Sequence, residues 1–182
     1  DLNNDGLLDA MVAFGNMQLE GDGWNNPLHQ PDAVYLQQED GSFSDAAEAL
    51  GMADRGIGRG FVAADVNRDG VLDVVKRDLA GSGVLYLSEC TPNAWLRVKV
   101  DQRNLANRFG VGTTVRLWAD GRMQQRTVVA GGTGFGSGGP PELHFGLGAA
   151  ERVDRLEVIW PDGTVSDAGG FEPRREVRLT RD

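Results

Sequence analysis

The chain has 182 residues, with 18 basic and 27 acidic side chains and a formal charge of −9 at neutral pH. Only 40% of residues are hydrophobic, and no apolar run approaches the eighteen or so residues of a membrane-spanning helix. The acidic balance, without a clustered basic face, also argues against nucleic acid as a partner.

The 26 glycines, about twice the usual share, point to tight turns between short strands rather than to a helical bundle. Residues 1–92 carry 5 basic and 16 acidic side chains, a balance of −11, whereas 93–182 carry 13 and 11, a balance of +2. Two parts with different electrostatics predict two domains, 1–92 and 93–182. Asp outnumbers Glu 18 to 9, which favours turns and hard-cation ligands over helix surfaces. Cys90 is the single cysteine, so no internal disulfide forms. With no initiator Met, and an opening inside a loop, the chain reads as a C-terminal fragment whose upstream repeats are missing.

In chain order, Asp1 to Asp9 form a polar loop that runs into an apolar strand, Ala10 to Phe14. A Gly-, Asn- and Pro-rich insertion follows over roughly Gly15 to Pro31, then a strand at Val34-Tyr35-Leu36. A hairpin turn falls at Glu39 to Phe43, with Gly41 where positive φ is needed. Asp45 to Met52 allow one or two helical turns ended by Gly51. Gly60 to Ala64 read as a strand leading into a second loop, Asp65 to Asp73, followed by strands at Val74-Val75 and Leu85-Tyr86-Leu87. The second loop repeats the first at an offset of 64 residues, with six of nine positions identical. A repeat of loop, strand, connection and strand predicts stacked units, most simply propeller blades.

The loop chemistry points to calcium. A hard divalent cation takes six to eight oxygens, and alternating oxygen-bearing residues wrap one within nine positions. Asp1, Asn3, Asp5 and Asp9 with the backbone carbonyl of Leu7 supply the first set; Asp65, Asn67, Asp69 and Asp73 with the carbonyl of Val71 supply the second. Three carboxylates about 4 Å apart repel by roughly 1 kcal/mol per pair in water and about 4 at intermediate dielectric, so crowding them asks for a cation. The donor set is all oxygen, which disfavours zinc. An EF-hand is excluded because the twelfth position is Val12 in one copy and Lys76 in the other, not Glu, and both flanks read as strands. Weak sites of this sort fill at millimolar calcium, which places the protein extracellularly, at a cell surface or in a periplasm.

These loops, with the Phe-Val-Ala-Ala-Asp lead-in at 61–65, resemble the FG-GAP or VCBS-type repeats of integrin-like propellers. Farther on, Asn93-Ala94-Trp95-Leu96, Asn107 to Gly112, His144 to Gly148 and Trp160-Pro161-Asp162-Gly163 occur in the order of the ASPIC and UnbV domain. The combination resembles the C-terminal end of the cartilage acidic protein family. Gly134 to Gly138 depart from that family's usual Ser-Gln pair, with Gly138 in the place of Gln. The resemblance implies a non-enzymatic, adhesion-type interaction module whose partner is a protein or glycan at a cell surface.

The residues of 93–182 also predict an antiparallel β domain, a small sandwich or barrel. Leu96, Val98 and Val100 alternate with Arg97, Lys99 and Asp101; Val115, Leu117 and Ala119 alternate with Arg116 and Trp118. Asp120-Gly121 turn into a strand at Met123 to Ala130, and Leu156, Val158 and Trp160, then Val177 and Leu179, mark two more. The fold class is therefore all-β: one or two blades of a partial propeller plus a small antiparallel domain.

Catalytic motifs fail. Gly134, Gly136 and Gly139 satisfy G-x-G-x-x-G, but Pro140-Pro141 leave no helix to receive a phosphate. Ser137 lacks the glycine of a nucleophile elbow, since Phe135 stands there. His29 lies in the polar insertion, and His144 reads as a hydrogen-bonded structural residue. Trp95, Trp118 and Trp160 fit core or half-buried strand positions; the alternative is a sugar-stacking platform, with Trp24, in an accessory carbohydrate-binding region of a secreted enzyme.

Overall fold

A computed structural model describes residues 1–16, 30–79, 81–132 and 137–181. Among the described residues thirteen strands build four open sheets, and there is no helix. The all-β class and the propeller-like character of the first part are as expected.

The first sheet is the antiparallel meander β1 (Ala10–Val12), β2 (Ala33–Gln37), β3 (Phe43–Asp45). The second is the antiparallel meander β4 (Gly58–Ala64), β5 (Asp73–Asp78), β6 (Val84–Tyr86), in which β5 and β6 are the counterparts of β1 and β2. The equivalence is residue by residue: Ala10 pairs with Tyr35 and Met11 with Val34, just as Val74 pairs with Tyr86 and Val75 with Leu85. The extra residues of the first copy fall between β1 and β2, where 17–29, including Trp24 and His29, lie outside the described residues. Gly41 turns the β2–β3 hairpin at φ 82°. Asp45 to Met52 make one turn, the shorter of the two lengths expected: Leu50 N donates to Ala46 O, Met52 N to Ala47 O, and Gly51 reverses the chain at φ 66°.

The two sheets pack face to face through Val34, Ala47, Met52 and Val74, flanked by Leu2, Met11, Leu36, Phe61 and Tyr86. Beside this apolar contact lies an ionic one. Lys76, on β5, is fully buried; its Nζ is 2.5 Å from Asp32 Oδ2, 3.1 Å from Asp78 Oδ1, and in contact with Asp54. Burial pulls the ammonium pKa down, but the three carboxylates outweigh it and hold the value above that of an ordinary lysine. Asp32 also accepts the Phe14 N–H at 2.9 Å, so one node ties β1, β2 and β5 together.

Residues 94–181 form a sandwich. One sheet has the order β10 (Glu142–Gly148), β7 (Ala94–Gln102), β13 (Arg175–Arg181); the other β12 (Val165–Phe171), β11 (Val153–Ile159), β8 (Thr114–Ala119), β9 (Arg122–Thr127). Leu96, Val98, Val115, Leu117, Phe145, Val153, Leu156 and Val158 are all essentially inaccessible and fill the space between the sheets. The alternating residues therefore point inward as expected, and Asp120-Gly121 make the β8–β9 turn with φ 48° and 71°. One expectation needs correction: the domain is not purely antiparallel, because β13 runs parallel to β7. After β12 the chain crosses from one sheet to the other, which frees β13 from the antiparallel direction that a hairpin imposes.

Candidate functional site

Each nine-residue loop folds on its own polar side chains. In the first, Asp5 N donates to Asn3 Oδ1 (3.1 Å), Leu7 N to Asp5 Oδ1 (2.8 Å), Gly6 N to Asp1 Oδ1 (3.4 Å) and Leu2 N to Asp9 Oδ2 (2.7 Å). In the second, Asp69 N donates to Asn67 Oδ1 (3.1 Å), Val71 N to Asp69 Oδ1 (2.8 Å), Gly70 N to Asp65 Oδ2 (3.1 Å) and Val66 N to Asp73 Oδ2 (2.9 Å). The last aspartate of each loop also holds the next-but-one strand: Gln37 N donates to Asp9 Oδ1 and Ser88 N to Asp73 Oδ1, both at 3.0 Å. Asx turns of this kind let side chains pull the backbone into a coil. The fourth residue of each is left-handed, Asn4 at φ 60° and Arg68 at φ 65°, followed by Gly6 at 89° and Gly70 at 90°.

The residues expected to ligate an ion are thus gathered into two equivalent loops. They are not drawn onto a point: among the described residues no group of three or more His, Cys, Asp or Glu is placed to hold a metal. Most of the carboxylate oxygens are instead engaged by backbone N–H groups, and a carboxylate oxygen that accepts one hydrogen bond keeps a lone pair free. The donor chemistry suits a hard cation, since every expected ligand is oxygen. The second loop adds one pointer: Asp65 is only 7% exposed, and its Oδ1 has no hydrogen-bond partner among the described residues.

The sequence does not reveal what covers the loops. Both lie against the β10–β7 edge of the sandwich. Gly146 N donates to Asp1 Oδ2 (2.9 Å), Gly148 N to Asn4 O (2.8 Å) and Asn93 Nδ2 to Asn3 O (2.9 Å). Arg97, expected only as an outward strand residue, donates from Nη1 to Asp65 Oδ2 at 2.8 Å in a buried pair. Asn4 joins everything: its Nδ2 donates to Gly70 O of the other loop (2.9 Å), and its Oδ1 lies 2.7 Å from His144 Nε2. His144 stacks on Trp95 at 6.3 Å, and its Nδ1 is buried without a partner among the described residues. Burial above all, with the charges of Arg97 and Arg126, pushes its pKa down to about 3, so it is neutral at physiological pH.

The three described tryptophans share no face. Trp95 meets His144, Trp118 on β8 lies under the Arg155 guanidinium at 4.9 Å, and Trp160 is a core residue whose Nε1 donates to Ser166 Oγ. Residues 133–136 of the glycine-rich segment lie outside the described residues.

Comparison with known proteins accords with this architecture. Residues 1–75 match the family model of an FG-GAP-like repeat, and residues 103–182 match that of ASPIC and UnbV. The two matched segments follow one another along the chain, the FG-GAP-like repeat first and the ASPIC and UnbV segment second. It is similar to cartilage acidic protein 1 of Xenopus tropicalis, 29% identical over 171 residues, which are 91% of this chain and 25% of that protein. The Mus musculus protein of the same name is 32% identical over 112 residues, 59% of this chain and 17% of the relative. The chain therefore spans about a quarter or less of the length of these relatives. The whole of β7, with Trp95 and Arg97, lies between the two matched segments.

Proposed function

We propose that this chain is a non-enzymatic, extracellular interaction module of adhesion type in which calcium is structural: one ion per loop, pinning the strands of each blade. The observation that carries this reading is the duplicated oxygen-lined loop, with the same internal hydrogen bonds in both copies and a buried, unpartnered carboxylate oxygen in the second. Asp1, Asn3, Asp5, Asp9 and the Leu7 carbonyl hold the first ion; Asp65, Asn67, Asp69, Asp73 and the Val71 carbonyl hold the second. Similarity to cartilage acidic protein 1 supports an extracellular setting, and the partner is a protein or glycan at a cell surface.

Loops of about 10⁻⁴ to 10⁻³ M affinity add on the order of 1 kcal/mol at millimolar calcium. Calorimetry is expected to register binding of CaCl₂ in this range, and EGTA to lower the Tm by about 2 to 4 °C. A chain that takes up no heat and melts identically with and without EGTA rejects the metal role.

A further inference from the structure

The two loops share their internal hydrogen bonds but not their surroundings. In the first, the leading carboxylate, Asp1, meets neutral donors, the N–H groups of Gly6 at 3.4 Å and Gly146 at 2.9 Å. In the second, Asp65 accepts the Gly70 N–H and a charged guanidinium, and both Asp65 and Arg97 are buried. Arg97 is held from its other side by Glu176, whose Oε2 is 3.1 Å from Nη2. It engages Asp65 Oδ2 and leaves Oδ1 free.

We infer that Arg97 is a resident cation of the second loop: a positioning residue that supplies part of the charge an ion would bring and keeps this loop closed and docked on the sandwich when no metal is bound. The first loop, by contrast, depends on its ion to close. The inference rests on the calcium reading of the loops and assigns them different roles, the second a permanent interdomain contact and the first the calcium-responsive one.

The physical basis is the cost of a buried carboxylate. Without a counter-charge it is strongly disfavoured, and a guanidinium, always protonated, supplies that charge at every physiological pH. A fixed positive charge beside a ligand also repels an incoming divalent ion, so Arg97 lowers the calcium affinity of the loop it stabilises.

Amide hydrogen exchange on the full-length wild-type protein, in saturating CaCl₂ and in EGTA, tests this directly. On chelation, the Leu2, Gly6 and Leu7 amides are expected to exchange at least about tenfold faster, and those of Val66, Gly70 and Val71 to change less than about twofold. The variant Arg97→Gln is expected to melt roughly 6 to 12 °C lower in EGTA. Calcium should recover most of that loss, with about tenfold tighter binding at the second loop in an Asp5→Asn background. Arg97→Lys, which keeps the charge, should behave as wild type. Equal deprotection of both loops on chelation, or an Arg97→Gln protein no more calcium-dependent than wild type, overturns the inference while leaving calcium binding intact. A wild-type protein in which no loop amide and no Tm responds to calcium overturns both readings. If Arg97→Gln fails to fold in either medium, the wild-type exchange pattern decides.

Discussion

Gly70 sits at φ 90° with the Trp95 indole directly against the position of any added Cβ, so a methyl group there meets both a left-handed backbone and an aromatic ring. Gly70→Ala is expected to cost about 2 to 4 kcal/mol in urea unfolding. Gly41→Ala, with the same sign of φ but open space around it, should cost about 1. His144 carries a pH dependence whose sign follows from its depressed pKa. The unfolded chain takes up a proton near pH 6.5 while the folded one stays neutral until about pH 3, so stability is lost as pH falls between those values. The slope is at most about 1.4 kcal/mol per pH unit. Urea midpoints measured from pH 7 to 5 should fall more steeply for the wild type than for His144→Gln.

At the scale of elements, the Lys76 cluster does for the two blades what the loops do for each hairpin. Lys76→Met leaves Asp32, Asp54 and Asp78 around an uncharged side chain, and is expected to cost about 3 to 5 kcal/mol by chemical denaturation. The lysine pKa is raised, so its contribution is complete below the unfolded value and fades only in strong alkali. The Asp54 pKa is lowered, chiefly by its hydrogen bond to Lys76, so that part is lost in acid. Neutral pH lies inside both limits. Little of this is visible in the sequence, where Lys76 stands beside Arg77 in one strand and the three aspartates are 22 to 46 residues apart.

For the whole molecule, the repeat makes a surface legible. Leu2, Met11, Val34 and Leu36 of the first blade are packed against the second. Their counterparts Val66, Val75, Leu85 and Leu87 are 53%, 39%, 48% and 61% exposed. The same side chains that bury one blade are repeated with nothing over them, on a sheet whose edge strand β6 is open. Sedimentation velocity on the isolated 182-residue chain is expected to show concentration-dependent association, reduced by the double substitution Leu85→Glu and Leu87→Glu. A monomer at all concentrations contradicts it.

The blades, both loops and the sandwich core are legible in the sequence because each rests on short-range periodicity: alternating Leu and Val, a glycine where φ turns positive, carboxylates four residues apart with an Asn between the first two. The parallel direction of β13 is not, since strand direction there follows from the sheet the segment packs into. Nor are Arg97, Asn4, His144 and Trp95 legible as partners of the loops. Local spacing determined two oxygen-lined coils; only the tertiary structure, by bringing residues 65 and 97 or 4 and 144 within hydrogen-bonding distance, decided that these coils are the joint between the two parts of the molecule.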